Sequence, residues 1–344
     1  MVSEGDGKAA VTDHGGSLDR ARALFPDAPQ PWIDLSTGIN PHPYPLFELP
    51  ATAFSRLPEP SRNRDLAHVA AAAYGAASAS NVIPAPGTQI LLPRVASLVQ
   101  PGRAVVLGPT YAEHRRACAI AGHAVEETGD FDRLAEADIA VVVNPNNPSG
   151  RVVARQDLLD LASRLASRGG LLVIDEAFMD VGPLQESLAG DVEGSGIVVL
   201  KSFGKFFGLA GVRLGFAITS SETAARLDDQ LGPWAVAGPA LEIGIRALAD
   251  KHWQETMRQR LAEATLRLDA LLSHHDIPVM GGTSLFRYAH LPAAGSLFEA
   301  LGRHGILVRN FLERPDHLRF GLPADETEWD RIGQALRAWR DGQI

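Results

Sequence analysis

A single cysteine, Cys118, leaves the chain no partner for an internal disulfide. No Cys/His grouping has zinc spacing, so no metal is expected. His274-His275 is an adjacent pair, and neighbours on a helix point different ways, so it reads as surface. Basic runs are missing and the formal net charge is -9, which argues against nucleic acid as a main partner. No apolar run reaches membrane-spanning length, so no membrane partner is expected. The N-terminus lacks a basic region followed by an apolar one, so no secretory signal is expected and a soluble cytoplasmic protein is the default. No G-x-G-x-x-G follows a first strand with an acidic residue at the right distance, and there is no Walker-type loop.

What is present centres on Lys201-Ser202-Phe203-Gly204-Lys205-Phe206-Phe207-Gly208-Leu209-Ala210-Gly211-Val212-Arg213-Leu214-Gly215. Short apolar runs at 197–200 and 214–218 flank it, each of strand length. A lysine crowded by Phe203, Phe206 and Phe207 is costly to keep charged, which makes Lys205 a candidate imine-forming amine. Arg213 is always charged and shaped to grip a phosphate with two hydrogen bonds. A nucleophilic lysine beside an anion clamp suggests pyridoxal phosphate. Taken alone, the stretch is as well read as a tight loop with a solvated lysine and a surface ion pair.

The other segments bear on that choice. His14-Gly15-Gly16-Ser17 is a turn before a short helix through residue 24, and ordinary turn chemistry suffices for His14. Residues 32–45 hold three prolines and a glycine, which forbid a helix, and their length favours a pocket wall over a surface connector. A helix is expected at 64–74, ending at Gly75. Gly87, Thr88 and Gln89 precede a helical run at 90–99, where free N–H groups make an anion site; a plain cap by Thr88 is compatible with it. Strands at 103–107, 123–127, 139–143 and 171–174 then alternate with helices at 112–121 and 156–167. Such alternation predicts an α/β fold with a mainly parallel sheet covered on both faces, and ligands at the carboxyl ends of its strands. Tyr111, Asn147, Asp175 and Lys205 all fall just past strand ends.

From about 238 the pattern changes to one long helical stretch to 272 and then shorter elements ending in a helix at 326–339, read as a smaller α+β domain. The boundaries expected are an N-terminal arm and pocket-wall loop at 1–45, a large cofactor-binding domain at 46–237, and an interdomain helix with the small domain at 238–344. Arg319 sits in the strand-like 318–321, where a lone arginine usually faces solvent, although in an amino-acid site it could hold a carboxylate.

Three motifs occur in order: Asn144-Pro145-Asn146-Asn147-Pro148-Ser149-Gly150, then Asp175-Glu176-Ala177, then Ser202-x-x-Lys205 with Arg213. Together they resemble the fold-type I pyridoxal-phosphate enzymes of the class I/II aminotransferase superfamily, over nearly the whole chain from Asp34. Within that superfamily the chain most resembles the threonine-phosphate decarboxylases of cobalamin biosynthesis, with histidinol-phosphate aminotransferases next. The leading His14-Gly15-Gly16, the run 35–41, and Phe178 where aminotransferases usually carry tyrosine favour the decarboxylases.

The resemblance implies roles. Lys205 would bond the cofactor, Asp175 would pair with its ring nitrogen, Asn147 would bond its phenolic oxygen, and Tyr111 would stack on its face. Gly87, Thr88, Gln89, Ser202 and Arg213 would cradle its phosphate. Arg319 would bind the substrate carboxylate, with Gly38 and Asn40 near the substrate and His14 and Arg309 as weaker candidates for its phosphate. The implied reaction is decarboxylation of L-threonine O-3-phosphate to (R)-1-aminopropan-2-yl phosphate, a phosphorylated amino acid being the small-molecule partner. Transamination of histidinol phosphate would use the same residues. A homodimer is implied too, but Leu57-Pro58-Glu59 stands where the superfamily often supplies a partner tyrosine.

Overall fold

The computed structural model describes residues 15–342; His14 lies outside the described residues. Twelve strands among them form two sheets. The strands are β1 (Ile33–Leu35), β2 (Val82–Ala85), β3 (Arg103–Leu107), β4 (Ala124–Thr128), β5 (Ile139–Val143), β6 (Leu171–Asp175), β7 (Ile197–Ser202), β8 (Gly215–Thr219), β9 (Val279–Thr283), β10 (Phe286–His290), β11 (Ile306–Asn310) and β12 (His317–Gly321).

The larger sheet has seven strands in the order β2-β8-β7-β6-β5-β3-β4. Strands β7, β6, β5, β3 and β4 are parallel, and β8 runs antiparallel to both β7 and β2. Its central strands are apolar on both faces because helices cover both. Ala104 and Val106 pack with Leu92, Ala117 and Leu227 on one side. Val105 and Leu107 pack with Leu158, Leu161 and Leu66 on the other. The helix Pro60–Tyr74 begins on a proline and ends at Gly75, whose left-handed backbone (φ 77) terminates it, so the expected stop is where the helix stops.

The smaller sheet has the order β1-β11-β12-β10-β9. Its edge strand β1 comes from the N-terminal segment and lies parallel to β11, with Ile33 opposite Ile306. Part of the stretch read as loop is therefore a strand, recruited by a partner hundreds of residues away. Gly281 and Gly282 of β9 abut the 144–150 loop: a Cβ on Gly281 would lie 2.3 Å from the Ser149 carbonyl oxygen. That close backbone approach joins the two sheets at the loop.

The single long helix expected after 238 is two, Gly238–Ala249 and Lys251–His274. Asp250 breaks it: its carboxylate accepts from the Trp253 N–H and from the Tyr44 hydroxyl. Buried Gln254 donates to the Ala247 and Leu248 carbonyls that the break frees. The reading of His274-His275 as surface holds for His274 only. The chain turns inward after the helix and buries His275. No helix among the described residues is long and apolar enough to cross a membrane.

Candidate active site

Lys205 sits on the one-turn helix Phe203–Phe206, which caps the carboxyl end of β7. The turn is pinned from beneath by aromatic packing. Phe203 and Phe207 stack at 4.4 Å, and Trp253 stacks on Phe207 at 5.5 Å. These phenylalanines point into the core, so they do not crowd the amine as the sequence suggested. The ring beside it is Phe178, with Nζ 5.8 Å from its centroid. Burial lowers the Lys205 amine from its ordinary 10.5 to about 8; Arg319 and Arg213 add to the drop and Asp175 opposes it.

Asp175 ends the neighbouring strand β6 and is buried. One carboxylate oxygen lies 2.8 Å from His114 Nε2 and the other accepts from the Ala177 N–H. A carboxylate only accepts, so His114 presents its Nε2 proton there. His114 stands one helical turn after Tyr111, and the two rings meet edge to face at 5.9 Å. Nothing in the sequence reading singled His114 out; its spacing from Tyr111 was the available signal. Burial, with Glu113 and Asp175 nearby, pushes the Tyr111 hydroxyl up to about 12, so it stays protonated. That hydroxyl lies 3.3 Å from Gln89 Oε1, and the Gln89 amide donates to buried Glu113.

Gly87 and Arg213 meet at the rim. A Cβ on Gly87 would lie 2.6 Å from Arg213 Nη2, and Gly87 has a φ of +85 that side chains rarely adopt. Arg213 itself is left-handed (φ 56), and its Nη1 donates to the Ala210 carbonyl. Gly215, opposite Ser202 in the β7–β8 register, would bring a Cβ within 2.7 Å of the Thr88 N–H nitrogen. Ser202, Thr88, Gly87 and Arg213 therefore converge where only glycine backbone fits between them.

Arg319 closes the opposite wall. It is buried on β12, not solvated: Nη2 donates to the Ser36 carbonyl at 2.7 Å, Nη1 donates to the Asn147 Oδ1, and Nε has no hydrogen-bond partner among the described residues. The guanidinium lies 5.0 Å over the Phe286 ring. Burial and then Arg309 lower its pKa, with Asp34 opposing, yet an arginine stays charged in such a setting. Arg309 is directly opposite on β11 and half-buried. Gly38 fills the gap between Phe178 and Phe286, where a Cβ would be 2.8 Å from Phe178 Cε1. Asn40 is almost wholly committed to the backbone. Its N–H donates to the Lys205 carbonyl, its amide to the Phe206 carbonyl, and its Oδ1 accepts from the His42 N–H. It thus fastens the 36–42 wall to the lysine turn.

The residues present suit a phosphorylated pyridine aldehyde. Such a group needs a lysine that loses its proton near neutrality, a carboxylate facing a ring nitrogen, and a glycine-lined phosphate cradle with an arginine. Lys205, Asp175 and the Gly87–Arg213 contact meet these needs.

Comparison with known proteins bears on the same chemistry. Residues 53–336 match the family model described as aminotransferase class I and II. The chain is 44% identical to a threonine-phosphate decarboxylase of Pseudomonas aeruginosa, covering 96% of this chain and 99% of that one. It is 43% identical to a threonine-phosphate decarboxylase of a Sinorhizobium species, covering 94% and 97%. Among solved structures, the histidinol-phosphate aminotransferase of Clostridium acetobutylicum superposes with a TM-score of 0.78 at 21% identity, covering 90% of this chain and 99% of that one, a likeness of fold.

Proposed function

We infer the activity of a chain that belongs to the aminotransferase class I and II family: it is a pyridoxal-phosphate-dependent lyase that decarboxylates L-threonine O-3-phosphate to (R)-1-aminopropan-2-yl phosphate. The observation that carries this is the likeness, along nearly the full length of both chains, to two threonine-phosphate decarboxylases. We place the product in cobalamin biosynthesis, as the names of those relatives support, and the enzyme in the cytoplasm. A homodimer is part of the proposal; the exposed side chains of Phe54, Leu57 and Trp234, the last lining a cleft of about 490 Å³ together with Pro58, support it.

Bound pyridoxal phosphate supplies an electron sink for the pair released when the Cα–carboxylate bond breaks. The chain's own residues do the rest. Asp175, held by His114 and the Ala177 N–H, would keep a proton on the pyridine nitrogen. Gly87, Thr88, Gln89, Ser202 and Arg213 would hold the cofactor phosphate, and Tyr111 and Asn147 the ring. With its pKa near 8, about a tenth of Lys205 is neutral at pH 7, far more than for an ordinary lysine, as bonding the cofactor requires, and it can return a proton to the substrate Cα afterwards. Arg319 would hold the substrate carboxylate and Arg309 its phosphate, beside Gly38 and Asn40. Two such anchors fix rotation about the bond to Cα, and so which bond breaks. Phe178 has no hydroxyl to offer the ring oxygen, which would leave that bond to Asn147.

Lys205→Ala tests this machinery. It should abolish turnover of L-threonine O-3-phosphate and change the cofactor's absorption to that of the unbonded aldehyde, while phosphate contacts retain some cofactor. Full activity in this variant would sink the assignment.

A further inference from the structure

Strands β10 and β12 end together, away from Lys205, with His290 directly opposite His317. Asp316 lies between them. One of its oxygens is 2.9 Å from His290 Nε2 and the other 2.7 Å from His317 Nδ1. All three ligand atoms lie within 4.8 Å of one another. The sequence hides the cluster because the histidines are far apart in the chain, and only antiparallel register brings them face to face. The rings are oriented from behind: Tyr288 stacks on His317 at 5.0 Å, and Arg314 donates to the Tyr288 hydroxyl. His290 and Asp316 are each more than two-fifths exposed, so an ion can reach them from solvent.

We propose that His290, His317 and Asp316 form a binding site for one divalent transition-metal ion of the zinc class. Two imidazoles and a carboxylate select Zn²⁺, Ni²⁺, Co²⁺ or Cu²⁺ over Mg²⁺ and Ca²⁺, which take oxygen ligands. Tetrahedral ligands at ~2.0–2.1 Å from a metal lie about 3.3 Å apart, so the two His–Asp contacts open slightly and the widest separation closes by no more than about 1.5 Å. In the metal-free cluster each imidazole directs an N–H at Asp316. The ion takes those nitrogens, and in a neutral ring the proton passes to the far nitrogen, so no proton is released. Water completes the coordination. The single carboxylate and the nearby Arg314 limit affinity. The site staples β10 to β12, the strand that carries Arg319 two residues further on, but it rests on geometry alone and stands apart from the decarboxylase reading.

Calorimetric titration of the holoenzyme with ZnCl₂, before and after single changes, tests it. Wild type should take up one equivalent at this site, with affinity at least about tenfold weaker in both His290→Ala and His317→Ala, the scale on which even supporting residues of metal sites act. Decarboxylation should be unchanged in both. Asp316→Asn provides a third variant should either alanine variant fold poorly, and it should also bind weakly. Absence of saturable binding in wild type, or unchanged affinity in the variants that fold, overturns the proposal.

Discussion

Replacing Lys201 by methionine should destabilise this protein more than most single changes. Lys201 precedes Ser202 on β7, and Glu176 follows Asp175 on β6, so the pair couples the two strand ends that carry the candidate chemistry. Their charged atoms are 2.6 Å apart, and the side chains are 2% and 0% exposed. Glu176 also accepts from the Ser187 hydroxyl and the Leu188 N–H, and the Lys201 ammonium lies 5.1 Å from the Tyr74 ring centroid. Removing one partner strands a buried charge, at about 3–5 kcal/mol. With an unfolding entropy of roughly 2.1 cal/mol/K per residue over 344 residues, this is a fall of about 4–7 °C in melting temperature. The double variant Lys201→Met with Glu176→Gln removes both charges and keeps an acceptor for Leu188, so it should recover most of the loss. Lys201→Met with Glu176→Leu should recover less, because an orphaned Leu188 N–H costs about 1–3 kcal/mol. Denaturant midpoints with equal slopes are the assay. A Lys201→Met cost below about 1 kcal/mol, or no recovery in the glutamine double variant, would refute the buried-charge reasoning.

Other consequences can be checked as directly. Modification of the cofactor-free protein by an amine-selective reagent should show Lys205 reacting with an apparent pKa near 8 rather than 10.5, and Arg319→Met should raise it by removing a like charge. Between those two values the unfolded chain binds more protons at this lysine than the folded one. The Lys205 contribution to cofactor-free stability therefore rises with pH across that window, as melts at several pH values would reveal. Gly87→Ala places a Cβ 2.6 Å from Arg213 in a positive-φ, extended backbone that side chains rarely adopt; a backbone cost of about 1–3 kcal/mol and a weakened cofactor Kd should follow, measured by cofactor titration. Arg319→Met should lower kcat/KM about 10–150-fold, the range for hydrogen bonds to a charged group at about 1.5–3 kcal/mol, with far less effect on cofactor Kd. Equal losses in both would show that Arg319 acts on the fold instead.

The α/β alternation was legible because buried parallel strands are short apolar runs: 103–107 and 139–143 are strands over the residues the pattern marks. Asn147, Asp175 and Lys205 could be picked out because each falls at or just past the carboxyl end of an apolar strand, where a ligand site is expected. What escaped the sequence depends on distant partners. The three-residue β1 has no periodicity to detect and exists through β11. Glycines in β9, which close packing against the 149–150 backbone needs, and a proline in β2 lower the strand signal there. Asp250 is one polar residue within an otherwise helical pattern, and its cap to Trp253 marks the break. The phenylalanines around Lys205 are close in sequence but face the core, while the ring near the amine, Phe178, comes from another loop. Burial of Arg319 and the partnership of His114 with Asp175 are likewise products of tertiary packing.

The central claim is tested by supplying the purified enzyme with L-threonine O-3-phosphate, with no 2-oxo acid present, and measuring carbon dioxide against product amine. Stoichiometric release of the two, over many turnovers, is the predicted result. No carbon dioxide, with turnover of histidinol phosphate only when 2-oxoglutarate is added, would contradict it and make the chain a transaminase.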